Sequence, residues 1–227
     1  MKTRTFLMIA LSLAMISSCK KDDKDDNNNN NTSGYPTSGL VSYFNFDDNI
    51  KDQVGTTPDG TNYGATFVAG KNGEAIDFNG SGQYVEYNRA SFVSGNNVSV
   101  SCWINYSLEN NNSIYFIMCN DFGIFTTDGI GMAISVPGTN NAKGASTPDT
   151  WYHFVGTYDG TYIKAYINGV LVQTTEHPGE LQELNYNLQL GTFQALDGYW
   201  HGSIDDLFIY EKVLSQAEIT QLYNYHQ

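Results

Sequence analysis

The clearest alternation of apolar and polar positions lies in residues 151–172. Two turn dipeptides, Asp159-Gly160 and Asn168-Gly169, separate three short runs of β-branched and aromatic residues, and such dipeptides suit tight hairpin turns. In the middle run, residues 162–167, the side chains alternate with the period of two of a half-buried strand. The segment therefore predicts a three-stranded meander whose apolar face needs a second sheet.

Short runs of this kind recur through residues 39–227, which we interpret as one domain. They predict further strands at residues 40–46, 65–68, 74–78, 83–87, 98–106, 113–119, 122–126, 129–136, 188–192 and 202–210. The runs flanking residues 79–82 are expected to form a hairpin. Ser215 and Glu218 have capping-box spacing, which predicts a helix at residues 216–223. The predicted fold is all-β, an antiparallel two-sheet jelly-roll sandwich with a short C-terminal helix.

The chain begins with a segment that we interpret as a signal peptide, residues 1–18. Lys2 and Arg4 precede an apolar run that is too short to span a bilayer as a mature helix. The run ends at Cys19 and resembles a bacterial lipoprotein signal with its lipobox, which implies that Cys19 is lipidated; a plain secretory signal is the alternative. Residues 19–38 are rich in Asp and Asn and predict a disordered linker.

The acidic residues bear on location and on partners. The cluster after Cys19 resembles the surface-export signal of Bacteroidetes lipoproteins, which implies an outer membrane lipoprotein exposed at the cell surface. The formal net charge of -13, without clustered Lys or Arg in the domain, argues against nucleic acid and anionic membrane surfaces as partners. Abundant Asp and Asn fit Ca²⁺ binding, although such a charge is equally expected of a soluble secreted protein.

Two cysteines lie within the domain, Cys102 and Cys119. They fall in neighbouring predicted strands, so a disulfide across a sheet is one expectation in an oxidising compartment, and two buried free thiols are the other. Neither has a His or Cys at metal-ligand spacing, which argues against a zinc site.

Several motifs together resemble the laminin-G-like branch of the concanavalin A-like lectin/glucanase superfamily. They lie at residues 40–47, 70–80, 84–85, 100–104, 151–155, 202–206 and 209–210, together with the Asn168-Gly169 turn. The resemblance spans nearly all of the domain and implies the two-sheet fold. It implies little about the ligand, because this fold carries lectins, glycan-binding modules, adhesion domains and hydrolases alike.

The resemblance also implies a place for a metal. Asp47 and Asp205 occupy positions that in similar domains lie close together and often near a structural Ca²⁺, and Asp52 is expected to complete the set. Gln83 stands where relatives commonly have Asp, which weakens a second site. The alternative is that these aspartates cap turns by accepting backbone N–H groups.

Catalysis by a glycoside hydrolase needs two carboxylates that flank one bond. On a strand, two side chains point into one cleft only at even spacing. Asp206 and Glu211 are oddly spaced, whereas Asp205 and Glu211 are evenly spaced but have Leu207 and Ile209 between them on a face that resembles core. We therefore expect no enzymatic activity, and a hydrolase is the less favoured alternative.

Carbohydrate binding is the function that we expect. Aromatic rings stack on the apolar faces of sugars while amides and carboxylates bind hydroxyls, and the chain is rich in Tyr and Asn. Trp103, Trp151 and Trp200 resemble core positions, and His153 is expected to be structural. A protein-interaction or adhesion module of a surface complex is the alternative. The candidates for exposed sugar-binding residues are Tyr106, Tyr115, Phe193 and Tyr199.

Overall fold

The structure, a computed structural model, describes residues 33–89, 91–107, 114–138, 140–182, 186–193 and 198–225. Its elements within those residues are β1 (Leu40–Phe44), β2 (Thr61–Tyr63), β3 (Thr66–Ala69), β4 (Glu74–Asn79), β5 (Tyr84–Tyr87), β6 (Val98–Tyr106), β7 (Ile114–Met118), β8 (Phe122–Thr126), β9 (Ile130–Ile134), β10 (Asn141–Gly144), β11 (Tyr152–Tyr158), β12 (Tyr162–Ile167), β13 (Val170–Glu176), β14 (Leu188–Leu190), β15 (His201–Tyr210) and α1 (Gln216–Asn224). The sequence pattern does not predict β2 or β10, whose residues are mostly polar or small. The predicted signal peptide and Cys19 lie outside the described residues.

The strands form two antiparallel sheets that pack face to face, so the predicted sandwich is confirmed. The eight-stranded sheet has the order β13-β12-β11-β6-β15-β4-β3, with β1 also paired to β15, and the seven-stranded sheet has the order β10-β9-β8-β7-β14-β5-β2. Alternate side chains of both sheets meet in one core. In that core the indole of Trp200 stacks on Phe116 at 4.4 Å and donates to Thr126 Oγ1 at 3.1 Å.

The predicted hairpin of β4 and β5 is wrong, because the two strands belong to different sheets. β4 pairs with β3 and β15, whereas β5 pairs with β2 and β14. Gly80 and Gly82 between them have positive φ angles of 73° and 77°, which glycine adopts without strain and which let the chain cross over. Alternation places Phe78 and Val85 in the core from either sheet, so the pattern alone does not distinguish the two arrangements.

A bulge divides β15 into two halves. Its first half pairs with β4 and its second half with β1, and the register with β6 shifts between Asp205 and Phe208. Asp206, within the bulge, has a left-handed φ of 46°. The extra residue places Asp205 and Asp206 on the same side of the sheet while Leu207 returns to the core, since a bulge resets the alternation.

One side of the sandwich is closed by side chains from β13. Thr175 Oγ1 donates to the Asn141 carbonyl at 2.8 Å, and the Lys143 N–H donates to Gln173 Oε1 at 3.1 Å. These bonds satisfy backbone groups at the open edge of β10 that no strand pairs.

The outer side of the eight-stranded sheet is a second apolar cluster, which we name the covered face. Leu214 and, from α1, Ile219 and Leu222 belong to it, and Tyr35, Leu40 and Tyr225 pack against it. The members contributed by the sheet are Tyr43, Val155, Tyr166, Phe208 and Tyr210. Tyr210 also donates to the Pro36 carbonyl at 2.9 Å. The packed part of the chain therefore begins before the predicted boundary at residue 39.

The helix α1 begins as its sequence predicts. Ser215 Oγ accepts from the Glu218 N–H, and the Glu218 side chain accepts from the Ser215 N–H at 2.9 Å, which completes the capping box. No helix of the described residues is long and apolar enough to cross a membrane.

Candidate functional site

The outer side of the seven-stranded sheet carries a set of aromatic rings. In β5 the side chains of Val85 and Tyr87 are in the core, so Tyr84 and Glu86 point outward, because successive strand residues face opposite ways. The opposite residue of β2 and outward residues of β7 and β8 continue the surface. We name it the aromatic face, and its rings belong to Tyr63, Tyr84, Tyr115, Phe125, Tyr186, Phe193 and Tyr199.

The first group of rings lies at the β2 edge. Tyr63 is 45% exposed and stacks on Tyr84 with centroids 4.2 Å apart. Tyr199 follows at 6.5 Å from Tyr84, and its β-bridge to Thr192 places it beside Phe193 of the second group. Burial, and then the neighbouring Tyr63, raises the pKa of Tyr84. Its hydroxyl is therefore neutral at physiological pH and both donates and accepts hydrogen bonds.

The second group crosses β7 and β8. The ring centroid of Phe193 lies 5.6 Å from that of Tyr115 and 5.9 Å from that of Tyr186. The rings of Tyr115 and Phe125 meet edge-on, with centroids 5.5 Å apart. Phe125 is only 6% exposed, so it supports the ring of Tyr115. The other three rings are half-buried and keep part of their surface open.

Two glycines inside strands let these rings lie along the sheet. A Cβ on Gly123 of β8 would come within 2.5 Å of Tyr115 Cδ1, and one on Gly131 of β9 within 2.5 Å of Phe125 Cζ. Side-chain carbons do not approach so closely, so each ring occupies space that any other residue would fill. Glycine within a strand is typical of such close approaches.

A polar pair lies among the rings. Gln189 of β14 stands opposite Glu86 of β5, and its Nε2 donates to Glu86 Oε2 at 2.7 Å. Both side chains are half-buried. A carboxylate and an amide beside aromatic rings provide acceptors and donors for sugar hydroxyls where the rings provide apolar contact.

The structure brings together three of the four predicted sugar-binding residues, since Tyr115, Phe193 and Tyr199 all lie on the aromatic face. The fourth prediction, Tyr106, is wrong. Its side chain is 2% exposed in the core, and its hydroxyl lies 3.0 Å from Ser146 Oγ. The reason is alternation: residue 106 has the parity of Ile104, which also points into the core.

Sequence reasoning missed Tyr63, Tyr84 and Tyr186. Alternation with Val85 is a signal that could have identified Tyr84. Tyr63 lies in β2, which has no apolar period, and Tyr186 lies outside the strands and helix, so neither carried a signal.

Asp47 and Asp205 meet at the turn between β3 and β4, where the resemblance implied a metal. The Glu74 N–H donates to Asp47 Oδ1 at 2.9 Å, and the Asn72 N–H donates to Asp205 Oδ2 at 3.0 Å. Asp205 is fully buried, and its Oδ1 has no hydrogen-bond partner among the described residues. Burial, together with the charge of Asp47, raises the pKa of Asp205 to about 7.

Asp206 is a second buried carboxyl beside this turn. Its Oδ1 accepts from the Tyr43 hydroxyl at 2.6 Å, and it is 3% exposed. Burial, and then Asp205, raises its pKa to about 8. The expectation that Asp205 shares a face with Leu207 is wrong, because the β15 bulge turns both aspartates to the outer side. They lie beneath other residues and do not line an open cleft.

Asp52 does not join Asp47 and Asp205. Its carboxylate accepts from four backbone N–H groups at 2.8–3.0 Å, those of Tyr43, Val54, Thr56 and Thr57. The turn-capping alternative therefore describes Asp52. The part of the chain that the structure describes holds no group of three or more His, Cys, Asp or Glu residues suited to a metal, so the predicted three-aspartate set is not assembled.

Cys102 and Cys119 are buried free thiols. Cys102 lies in β6 of the eight-stranded sheet, whereas Cys119 follows β7 of the seven-stranded sheet, so the disulfide across one sheet is not formed. Burial raises the pKa of both thiols, which leaves them protonated and unreactive.

The tryptophans and His153 have structural positions. Trp103 and Trp200 are buried, and Trp151 is half-buried. His153 Nε2 lies 2.8 Å from Ser101 Oγ, and burial lowers the pKa of His153 to about 3. The histidine is therefore neutral and covered.

A separate polar cavity of about 400 Å³ lies beside the turn that joins β7 and β8. Its buried carboxylate, Asp121, accepts from the Ser91 hydroxyl at 2.9 Å and from the Phe92 N–H. The residues that line the cavity include no aromatic ring, so it lacks the apolar stacking surface that the aromatic face provides.

Known proteins share this architecture. The Laminin_G_3 family, described as the concanavalin A-like lectin/glucanases superfamily, matches residues 79–220. No curated protein sequence matches the chain. Domain 4 of AbnA, a GH43 extracellular arabinanase from Geobacillus stearothermophilus in complex with arabinotriose, is 22% identical with a TM-score of 0.66, over 83% of this chain and 98% of that one.

Toxin binding domains have the same fold. The binding domain of Paraclostridial Mosquitocidal Protein 1 is 17% identical with a TM-score of 0.69, over 82% of this chain and 52% of that one. The binding domain of Botulinum neurotoxin DC, in complex with rat synaptotagmin II, is 15% identical with a TM-score of 0.67, over 84% and 52%. The chain thus spans about half of these toxin domains. With the sandwich, its C-terminal helix and the matched residues 79–220 in agreement, the chain belongs to the laminin-G-type family of the concanavalin A-like lectin/glucanases superfamily.

Proposed function

We propose that the chain is a carbohydrate-binding, lectin-like module without catalytic activity, and that the aromatic face is its binding site. The observation that carries the proposal is the row of partly open rings with a carboxylate and an amide among them. Sugar rings have apolar C–H faces that pack on aromatic side chains and hydroxyls that need hydrogen-bond partners. The arabinotriose complex of the similar arabinanase domain supports a sugar ligand.

The absence of catalysis is part of the same proposal. Glycoside hydrolysis requires two carboxylates on either side of an accessible bond. Asp205 and Asp206 are adjacent but buried, and Glu86 on the aromatic face is paired with Gln189 instead of a second acid.

The test measures binding of the fragment of residues 33–227 to a panel of immobilised polysaccharides. Tyr84→Ala and Tyr115→Ala are each expected to weaken binding about tenfold or more, which is about 1.4 kcal/mol. The matched control is Tyr162→Ala, which removes a ring that is 39% exposed on the other sheet. Equal binding by all three variants and the unmodified protein would place the site elsewhere.

A protein-interaction module is the second candidate, and the edge strand β13 favours it. Val170, Leu171 and Val172 are 64%, 46% and 46% exposed, and apolar residues in a row on an edge strand are typical of pairing surfaces. Leu171→Lys is expected to abolish capture of a surface protein and to leave polysaccharide binding unchanged. Capture that persists in this variant contradicts the candidate.

Lipid anchoring at Cys19 and display on the outer membrane surface form a further part of the proposal. Tyr35 and Pro36, the residues nearest the linker, are bound to the covered face. Protease treatment of intact cells is expected to release the domain, and Cys19→Ser is expected to release it without protease.

A structural Ca²⁺ at Asp47 and Asp205 is also proposed. The donor chemistry suits a hard cation, because the buried Asp205 Oδ1 lacks a hydrogen-bond partner among the described residues and the Asp47 carboxylate is close enough to raise the pKa of Asp205. A melting temperature that rises in millimolar Ca²⁺ and falls in chelator supports it, and one that changes with neither refutes it.

A further inference from the structure

In the strands that the structure describes, the aromatic face is nearly uncharged although the chain is acidic. The formal net charge is -13, yet among the outward residues of the described strands on this side the charged side chains are Glu86 and Lys143. Glu86 is held by Gln189, and Lys143 forms an ion pair with Asp128. The two charged side chains lie on separate strands, and each is already bonded to another side chain.

The described strands of this face lack the clustered opposite charges that would bind a charged polymer. Carboxylate, sulfate or phosphate groups are recognised by Arg or Lys forks and clusters. Among the described outward strand residues of this face, the one basic side chain is Lys143, at its edge. The acidic chain as a whole repels a polyanion. A polycation would need several free carboxylates, and among the described strand residues Glu86 is the one carboxylate that faces outward.

The face is also long. Its rings extend from β2 to β8 across β5, β14 and β7, which are five neighbouring strands. With strands about 4.8 Å apart, four gaps cover about 19 Å, which exceeds a single sugar ring. Gly123 and Gly131 keep the rings of Tyr115 and Phe125 down on the sheet, so the surface suits a chain that lies across the strands.

We propose that the ligand is an uncharged polysaccharide of several sugar units that lies flat across the strands, with Gly123 as a positioning residue beneath Tyr115; this rests on the proposed function. Stacking contributes most of the affinity, and the Glu86 and Gln189 pair binds hydroxyls at the middle of the chain. Binding of this kind depends little on ionic strength, because no charge is neutralised.

The test compares neutral polymers, such as arabinan, mannan and β-glucan, with anionic alginate and polygalacturonate. Retention on a neutral polymer that changes less than about twofold between about 20 mM and about 500 mM NaCl is the expected result. Retention on anionic polymers alone, lost with salt and lost in Tyr115→Ala, overturns the inference while the proposed carbohydrate site stands. Retention on no polymer overturns both.

Two further measurements test whether the ligand spans the strands. Neutral oligosaccharides are expected to bind more tightly from disaccharide to hexasaccharide, and an affinity that is already complete at the disaccharide contradicts a spanning chain. Gly123→Ala is expected to lift the ring of Tyr115 and weaken binding about tenfold, whereas Gly95→Ala, whose new Cβ meets nothing within 4 Å, leaves it unchanged. Equal binding by both variants, with Gly123→Ala folded by circular dichroism, contradicts the positioning role.

Discussion

The two outer sides of the sandwich use aromatic residues in opposite ways. On the covered face Tyr43 stacks on Phe208 at 4.1 Å with planes 4° apart, and Tyr35 and α1 close over them. On the aromatic face Tyr63 stacks on Tyr84 at a similar 4.2 Å, but no helix lies on it among the described residues. The same side-chain chemistry is therefore buried for stability on one side and left open to solvent on the other.

The difference indicates where stability and function reside. Burial of apolar surface stabilises a fold by about 25 cal/mol per Å², and the covered face gains this from α1 and Tyr35. The aromatic face lacks this stabilisation, because its rings remain partly open to solvent, where a ligand can cover them. Partly open rings on a rigid sheet are a feature of binding surfaces, because little ordering is required on association.

The largest expected effect is on the free energy of unfolding, when one tyrosine on each face is replaced by alanine. Tyr43→Ala is expected to lower the free energy of unfolding by about 3 to 5 kcal/mol, since it empties a packed site and removes the donor to Asp206. Tyr63→Ala, the matched control, is expected to cost less than about 1 kcal/mol because its ring is open. Urea denaturation measures both. Equal losses would contradict the distinction between the faces.

A smaller effect is expected from pH at the carboxyl of Asp206. A buried acid with a raised pKa stabilises the fold while it is protonated, and that contribution is lost as the pH rises towards about 8. Asp206→Asn keeps the acceptor for Tyr43 but does not titrate. In chelator, the variant is expected to gain on the order of 2 kcal/mol relative to the unmodified protein between about pH 5 and about pH 8.5.

Thermal unfolding of both proteins across this pH range measures the gain. Asp128→Asn is a useful contrast, because the pKa of Asp128 is lowered by Lys143 and its contribution has the opposite pH dependence. A constant difference between Asp206→Asn and the unmodified protein would contradict burial of the neutral acid.

The smallest expected effect concerns the helix α1, which packs on the covered face. Ser215→Ala removes the cap from the Glu218 N–H and is expected to cost about 1 kcal/mol. Ser94→Ala, in an exposed loop, is expected to change stability by less than about 0.5 kcal/mol. A melting temperature unaffected by Ser215→Ala would show that packing of Ile219 and Leu222 holds the helix without its cap.

Local patterns predicted much of this fold and part of the site. Alternation identified the meander of β11, β12 and β13, and the spacing of Ser215 and Glu218 identified α1, because both signals arise from neighbours in the chain. The same alternation, followed to its end in β6, would have buried Tyr106. Tyr115, Phe193 and Tyr199 were proposed one by one, without a reason for them to meet.

The sequence by itself determined the fold class, the strands with a clear period of two and the helix with its cap, since these depend on contacts within a few residues. Tertiary structure alone decided that β4 and β5 belong to different sheets, that a bulge turns Asp205 and Asp206 to one side, and that Tyr63 meets Tyr84. Pairing between distant strands decides each of these. A strand with alternating apolar residues fits either sheet equally well, and one extra residue in a strand moves every side chain after it to the opposite face.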